Sequence, residues 1–497
     1  MNTYSETPDI IPFPASSTAK AKRSGFFKSE LLTQGQLETL KGGTLRLLDE
    51  VGVHVPSRRA LEILSEHGAG VDWETEIVRM PPDLVQGAMS AAPRSFVLGG
   101  REERFDLLLD GTRSYLSTDG TGVHVVDLET RQMRPSRKED IAMMARVCDA
   151  LPLIGFFWPP VSAQDYGLTA PLHQCHAGLV NTLKHVRGGM TVVPQLAPYV
   201  VEMAAVVAGS AEALRQRPPI CANFCTIAPL AHDGHSLDVA LTYAEAGIPI
   251  SFMAMPTMGS TAPATPLGAL VQGDAEVVSG MVLVQLAYPG APVFHSIITS
   301  LMDPRSGGYI GEVPIPVSWM ATQLAHAWRV PSLGGGGVAS DAPDIGWQSG
   351  MEAGMGAATI PLYGGEICGY LGLVGSSMIL YPEQVILDHE ICQNAYDLFQ
   401  PFEFSEADMA LDVIAGVGPR SHFLRQKHTR KRIRDFRLSR LLRQMRPDGN
   451  WRDPREVARE EFKRIHETHR PEPLSGEVLA ELDRILDAAE GEAERIE

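Results

Sequence analysis

The sequence predicts an α/β protein, a TIM-type (β/α)8 barrel with N-terminal and C-terminal helical additions. From about residue 153, short apolar runs alternate with longer helical segments, and a β-then-α alternation of this kind implies a parallel sheet. No GxGxxG motif follows the first of these runs, and no P-loop lysine follows the four glycines at 334–337. The usual signals of an open, nucleotide-binding sheet are therefore missing, and the number of runs favours a closed barrel.

Seven apolar runs are predicted to be barrel strands, and helices are predicted between them. An eighth strand is expected near residues 369–379, which would complete the barrel. The seven predicted strands span residues 154–157, 182–186, 220–227, 248–255, 292–299, 332–338 and 360–362.

The composition of the remaining segments suggests four regions. Residues 1–25 are polar and rich in proline and serine, which is typical of disorder. Residues 26–150 have helical patterns and a predicted β-hairpin around Asp119-Gly120. The barrel is expected at 151–400 and a C-terminal helical region at 401–497, where residues 420–446 are strongly basic.

Charge and composition exclude several classes of function. The chain has 497 residues and a formal net charge of -17, which argues against nucleic acid as the main partner. Six sparse, unpatterned cysteines indicate reduced thiols in a cytoplasmic protein. The longest apolar run, 267–288, contains Asp274 and Glu276, so we predict a buried helix and no membrane span.

The stretch 331–352 combines a glycine run with the start of a helix. Glycines at the end of an apolar strand allow close approach to the main chain, and the following helix places Asp344, Gln348 and Glu352 on one polar stripe. Glycines 346, 350 and 354 form a second stripe, and we expect another element to pack closely against it. Asp341, Gln348 and Glu352 are the candidate catalytic residues, although Asp341 is also suited to be a helix cap.

Further candidates follow from barrel geometry, since the active sites of such barrels lie at the carboxyl ends of the strands. Core packing is the alternative interpretation of each aromatic side chain, and pairing with a nearby donor is the alternative interpretation of Glu352 and Glu366. The substrate-binding candidates are Phe156, Trp158, His295, Trp347, Tyr363, Glu366 and Tyr370.

Three clusters suggest zinc, namely His173 with His176, Cys221 with Cys225, and Asp388-His389-Glu390. None of them has the usual two-residue cysteine spacing or the HExxH pattern. We therefore predict no metal site.

The segment 255–293, MPTMGSTAPATPLGALVQGDAEVVSGMVLVQLAYPGAPV, resembles the signature of the trimethylamine:corrinoid methyltransferase family. In that family a GxTAPxT segment opens a long helix that closes with QLxxPGAP. The resemblance extends over residues 30–470, through MDPRSG at Asp303, the glycine-rich stretch, and the block containing Gly418, Phe423-Leu424 and His428-Thr429.

The resemblance implies a barrel enzyme that moves a methyl group from a methylated amine to the cobalt of a separate corrinoid protein. It also implies a corrinoid (cobalamin) cofactor on that partner and none bound tightly by this chain. The best-known members carry pyrrolysine in the segment corresponding to 340–348, whereas here SDAPDIGWQ contains only standard residues. Members without pyrrolysine resemble demethylases of quaternary amines such as glycine betaine.

A quaternary ammonium needs no activation, because it departs as a neutral tertiary amine when a strong nucleophile attacks its methyl carbon. The protein has to hold the cation, which aromatic faces do, align one methyl group and exclude water. Two alternatives stay open, namely an enzyme of the same superfamily with another methyl donor or acceptor and a non-catalytic binder of methylated amines. The basic segment 420–446 is either a solvated face or a docking surface for the corrinoid protein, and we expect a homo-oligomer.

Overall fold

The structure is a computed structural model that describes residues 29–120, 122–190, 192–311, 316–399, 404–433, 436 and 438–496. The predicted disorder of residues 1–25 lies outside the described residues. Eight parallel strands form the central sheet, and a bridge between His295 and Ser332 joins its two outer strands. In chain order, barrel strands one to eight are Tyr115–Thr118, Ile154–Phe157, His185–Arg187, Ile220–Cys225, Ile250–Ala254, Val293–Ile297, Leu333–Gly337 and Ile367–Leu371.

The predicted TIM-type barrel is confirmed, but two of its strands differ from the prediction. The predicted hairpin at 114–127 is wrong, because Tyr115–Thr118 is the first barrel strand and pairs in parallel with the second and the eighth. The barrel therefore begins before residue 151. Residues 360–362 are also not a strand, since they lie within the helix Trp347–Tyr363, and the last strand is Ile367–Leu371.

Helices surround the barrel and extend it at both ends. Helices Pro454–Thr468 and Gly476–Ile496 pack back onto the barrel's helical layer. The α-helices of the described residues are Gln34–Arg46, Arg58–Glu66, Pro82–Ala91, Lys138–Ala150, Ala170–Asn181, Ala197–Ala208, Ala211–Gln216, Gly234–Ala246, Pro266–Ala287, Val317–Ala327, Trp347–Tyr363, Gln384–Leu398, Leu411–Val417, Lys427–Arg432, Pro454–Thr468 and Gly476–Ile496.

Short strands occupy the two ends of the barrel. The antiparallel pair Phe96–Leu98 and Leu107–Leu109 packs Leu98, Leu107 and Leu109 into the barrel interior and closes the end where the barrel strands begin. At the opposite end, the mouth, two small sheets follow the barrel strands. They comprise His124–Val126, Met133–Pro135, Leu373–Val374 and Ile379–Leu380 in one sheet and Thr257–Met258, Ser300–Met302 and Tyr309–Ile310 in the other. A third small sheet, near the N-terminus, comprises Val53–His54, Gly70–Asp72 and Ile77–Arg79.

Helix Pro266–Ala287 has the length and composition of a membrane span, but 83% of its most apolar window is buried inside the protein. Its acidic residues have partners within the protein. Asp274 accepts hydrogen bonds from Trp328 Nε1 at 3.0 Å, and Glu276 accepts one from Thr226 Oγ1 at 2.6 Å. The predicted buried helix is therefore confirmed.

The glycines of helix Trp347–Tyr363 do not behave as predicted. A Cβ atom added at Gly346, Gly350 or Gly354 would meet nothing within 4 Å, so no element of the part of the chain that the structure describes packs against that stripe. The close approach is made instead by Gly356, where an added Cβ would lie 1.6 Å from the carbonyl oxygen of Gly337. The helix thus rests directly on the end of barrel strand seven.

Candidate active site

Inward-facing side chains at the mouth end of the barrel form a compact chamber. Side chains alternate along a strand, so Arg187 faces the same side as His185, whose ring lies 5.4 Å from that of Phe156 in the buried interior cluster. Trp158 and Tyr370 belong to the same cluster. The structure therefore brings together three of the sequence-predicted residues, namely Phe156, Trp158 and Tyr370, around an arginine that sequence reasoning did not select.

Arg187 and Trp158 form the centre of the chamber. The guanidinium carbon of Arg187 lies 3.3 Å from the centroid of the Trp158 ring. Thr118 holds the tryptophan backbone, because its hydroxyl donates to Trp158 O at 2.6 Å and accepts from Trp158 N at 2.7 Å. Only a glycine fits at position 120, since an added Cβ would lie 2.0 Å from Trp158 Nε1.

Several polar atoms of the interior have no hydrogen-bond partner among the described residues. Such atoms are costly to bury, at about 1–3 kcal/mol each, and a cluster of them inside a barrel favours a binding chamber over a packed core. The interior set comprises Ser117 Oγ, His185 Nε2, Arg187 Nε, Nη1 and Nη2, Asn223 Oδ1, Ser296 Oγ and the Tyr370 hydroxyl.

Asp119 supplies negative charge at the same end of the barrel. It follows barrel strand one, and its oxygens accept hydrogen bonds from Ser377 Oγ at 2.5 Å and from Gly120 N at 2.8 Å. Burial raises the pKa of Asp119 to about 6, opposed by these hydrogen bonds and by a smaller effect of Arg187. The carboxyl group is therefore mainly ionised at neutral pH.

The cysteine and tyrosine side chains of the chamber are neutral. Burial raises the pKa of the Cys221 thiol to about 12 and also raises that of Cys225, so neither is a thiolate at neutral pH. Burial raises the pKa of Tyr370 further above its ordinary value. Tyr370 has a left-handed backbone, with φ at 52°, and its ring meets that of Trp158 edge-on at 6.4 Å. The chamber thus offers one cation and one carboxylate beside aromatic faces.

The three candidate catalytic residues form a second cluster, on the loop after barrel strand seven and the helix that follows. Glu352 accepts hydrogen bonds from Ser340 Oγ at 2.6 Å and from Gln348 Nε2 at 2.9 Å. Asp341 accepts one from Ser376 Oγ at 2.6 Å and one from Gly311 N at 2.9 Å. These bonds tie together the loops of strands six, seven and eight at the mouth.

The other predicted residues lie outside the chamber. His295 faces the helical layer, where Nε2 contacts Asp274 Oδ1 at 2.8 Å. Glu366 lies before strand eight, at the closed end of the barrel, and pairs with His326 at 3.1 Å. Tyr363 stacks on Trp319 with ring centroids 5.0 Å apart. Trp347 is 81% exposed at the start of its helix. For His295, Glu366 and Tyr363 the prediction of a place in the substrate chamber is corrected, since their polar or aromatic groups are engaged elsewhere.

The sequence prediction did not include two residues of the chamber, Arg187 and Asp119. Arg187 directly follows the predicted strand 182–186 and precedes two glycines, which is the pattern expected at the end of a barrel strand. Asp119 was not selected because the hairpin prediction placed it in a turn, whereas it directly follows a barrel strand.

The three clusters that suggested zinc from the sequence do not form metal sites among the described residues. Among the described residues there is no group of three or more His, Cys, Asp or Glu side chains arranged to hold a metal ion. His173 contacts Glu490 at 2.9 Å and stacks on Tyr166, while Asp388 accepts a hydrogen bond from Gly372 N at 2.8 Å.

A closed barrel with a buried polar and aromatic chamber at the carboxyl ends of its strands defines a TIM-barrel enzyme. The family model described as trimethylamine methyltransferase (MTTB) matches residues 13–492, so the chain belongs to this family. It is accordingly a methyltransferase.

Curated relatives match over nearly the whole chain. The trimethylamine methyltransferase MttB of Desulfitobacterium hafniense DCB-2 is 32% identical over 471 residues, which cover 92% of this chain and 93% of the relative. The protein of the same name from Methanosarcina barkeri is 29% identical over 472 residues, covering 93% and 95%. A glycine betaine methyltransferase of Desulfitobacterium hafniense Y51 is 29% identical over 411 residues, covering 81% and 84%.

Proposed function

We propose that this chain transfers a methyl group from a small quaternary amine, similar to glycine betaine, to the cobalt of a corrinoid carried by a separate protein. The observation that carries the proposal is the segment 340–348 at the end of barrel strand seven. It contains only standard residues, and Ser340, Asp341 and Gln348 are hydrogen-bonded into the mouth cluster. Such a segment supports a substrate whose methyl group needs no activation.

The reaction requires no proton transfer. The carbon–nitrogen bond breaks with its electron pair remaining on nitrogen, and a neutral tertiary amine leaves. The electron pair of the new bond to carbon would come from the reduced cobalt of the corrinoid on the separate protein. The contribution of the protein is therefore positioning and exclusion of water, which suits a chamber whose thiols and phenol are kept neutral by burial.

Asp119 and Tyr370 are the proposed partners of the quaternary ammonium. An ionised carboxylate and an aromatic face both attract a cation, and both lie at the mouth end of the barrel. Trp158 is less available, since the Arg187 guanidinium covers one face of its ring and Gly120 packs against it. Asp341, Gln348 and Glu352 are proposed to shape the mouth through which the methyl group faces cobalt.

The C-terminal segment is the proposed docking surface for the corrinoid protein. Its basic part exposes Phe423, Leu424 and Ile433 beside arginines. A surface depression of about 230 Å³ there is lined by Ala410, Val413, Phe423, His428, Thr429, Arg432, Ile433 and Phe436. Its apolar lining suits a protein partner better than a small polar substrate.

We further propose that the protein self-associates, which light scattering would measure. We also propose a cytoplasmic location, which the six free thiols support.

The methyl transfer is tested with purified full-length protein, enzymatically or chemically reduced cob(I)alamin and a panel of amines under anaerobic conditions. Formation of methylcobalamin is followed by its absorbance spectrum. Quaternary amines are expected to give product, and trimethylamine is expected to give none. Reactions without amine and without protein are the controls. Absence of product from every quaternary amine, including reactions with a corrinoid protein as acceptor, would refute the proposal.

A further inference from the structure

We propose that Arg187 binds an anionic group of the substrate, a carboxylate, in the buried chamber of the barrel, so that the enzyme selects quaternary amines that are zwitterions. This inference rests on the proposed function for the other end of the substrate. It assigns to Arg187 a role as a specificity-determining residue.

The first argument is the burial of an unpaired cation. Arg187 is only 1% exposed, and none of its three guanidinium nitrogens has a hydrogen-bond partner among the described residues. Burial lowers the pKa of Arg187 to about 10, so the group remains cationic at neutral pH. Arginine is almost never fully buried without a partner, and a planar guanidinium matches a carboxylate through two parallel hydrogen bonds.

The second argument is that Asp119, the nearby carboxylate of the protein itself, forms no hydrogen bond with Arg187. Asp119 is close enough to Arg187 for the two charges to influence each other. Its oxygens, however, accept hydrogen bonds from Ser377 and Gly120, and the guanidinium nitrogens remain without a bond to it. The chain therefore leaves the arginine available for an external anion.

The third argument is the orientation of the guanidinium. Trp158 contacts the face of the guanidinium plane, at 3.3 Å from the ring centroid. The N–H groups of arginine lie in that plane, so stacking holds the group in place without using its donors. Asn223 and Ser296, on barrel strands four and six, present further interior polar atoms without partners.

One substrate can reach both charges. Arg187 ends strand three, Asp119 directly follows strand one and Tyr370 lies in strand eight, so all three are at the carboxyl ends of barrel strands. A zwitterion bound in the chamber therefore has its carboxylate on Arg187 and its trimethylammonium group beside Asp119 and Tyr370.

Binding is tested by calorimetry on the full-length protein with pairs of trimethylammonium compounds that differ only in one end group. Glycine betaine, β-alanine betaine and γ-butyrobetaine are each compared with the alcohol of the same chain length, of which choline is the shortest. At least one carboxylate is expected to bind about 10-fold to 100-fold more tightly than its alcohol, as expected for hydrogen bonds to a charged group.

Two variants and one control locate the effect. Arg187→Met is expected to remove the preference for the carboxylate while leaving the affinity for the alcohol largely unchanged. Arg187→Lys, which retains the charge and is more conservative should the methionine variant fold poorly, is expected to retain part of the preference. Arg484→Gln, on the exposed surface of the last helix, should behave as wild type.

The outcomes separate this inference from the proposed function. If no carboxylate binds better than its alcohol to the wild-type protein, or if Arg187→Met lowers both affinities equally, the inference is wrong even when methyl transfer occurs. If the preference depends on Arg187 but no amine donates a methyl group, the inference stands and the proposed function fails.

Discussion

The guanidinium carbon of Arg187 lies 3.3 Å from the centroid of the Trp158 ring, and both side chains are buried inside the barrel. One residue ends barrel strand three and the other follows strand two. The pair places a positive charge where the active sites of such barrels are found.

Replacing Trp158 by alanine should destabilise the protein, because a buried aromatic side chain and its contact with Arg187 are both lost. We expect a loss of about 3–5 kcal/mol in the free energy of unfolding. Trp347→Ala is the matched control, since Trp347 is 81% exposed, and it should change the free energy by no more than about 0.5 kcal/mol. Denaturant titration measures both, and equal effects would contradict the assignment of Trp158 to the buried chamber.

Two glycines of helix Trp347–Tyr363 should respond to alanine in opposite directions. An added Cβ at Gly356 would lie 1.6 Å from the Gly337 carbonyl oxygen, which is backbone and cannot move aside cheaply. Gly356→Ala is therefore expected to destabilise the protein by at least about 1–3 kcal/mol. Gly350→Ala meets open space and should stabilise it by up to about 1 kcal/mol through helix propensity. Thermal unfolding of the two variants checks the contrast, which would vanish if the helix did not rest on strand seven.

Substrate affinity should depend on the ionisation of Asp119. Burial raises its pKa to about 6, so the carboxylate that attracts the quaternary ammonium is lost as the pH falls through 6. We expect the affinity for a quaternary amine to weaken from pH 7 to pH 5 in calorimetric titrations. Asp119→Asn should bind weakly at both values and remove most of this dependence. An unchanged pH profile in the variant would place the responsible group elsewhere.

Stability should fall in acid because buried histidines are held neutral. Burial lowers the pKa of His232 to about 4 and has the same effect on His185. The unfolded chain, with ordinary histidine pKa values near 6.5, then binds more protons than the folded protein between pH 4 and 6.5. The free energy of unfolding therefore decreases as the pH drops through this range.

His232 offers a specific test of that effect. Its Nε2 lies 2.8 Å from Ser279 Oγ, a contact that a glutamine side chain can replace. His232→Gln should reduce the slope of stability against pH between 4 and 6.5, as measured by urea titrations at several pH values. Replacement of the exposed His67 by glutamine should leave the slope unchanged, so a similar change in both variants would argue against burial as the cause.

The barrel and its buried helix could be predicted because their signals are local. Alternation of apolar runs and helical segments indicates parallel strands whatever their neighbours are. Asp274 and Glu276 within an apolar run indicated a buried helix whose acidic side chains need hydrogen-bond partners. In the structure Trp328 donates to Asp274, and Thr226 donates to Glu276. Strand one was mistaken because a four-residue buried run beside Asp119-Gly120 has the same local pattern as a hairpin.

The site was predicted only in part, because residue type does not determine which face of a strand a side chain occupies. His295 and Phe294 are adjacent, yet Phe294 faces the interior while His295 faces helix Pro266–Ala287. Glu366 and Tyr370 belong to the same strand region but lie toward opposite ends of the barrel. A shift of one residue along a strand moves a side chain to the opposite face of the sheet. Only the folded chain therefore shows which aromatic candidates lie in the chamber and which lie in the outer layer.

The sequence by itself determined the barrel class, the family and the standard composition of segment 340–348. Those properties depend on periodicity and on motifs that are continuous along the chain. Only the tertiary structure decided that Asp119, Trp158, Arg187 and Tyr370 share one chamber. Closure of the sheet makes strands one, two, three and eight neighbours. The alternation of side chains turns Asp119, Trp158 and Arg187 inward, whereas Tyr370 faces inward because the backbone is left-handed at Gly369 and Tyr370 and breaks the alternation of strand eight. The physical reason is that a binding site depends on distance and direction in space, which strand pairing establishes and sequence separation does not.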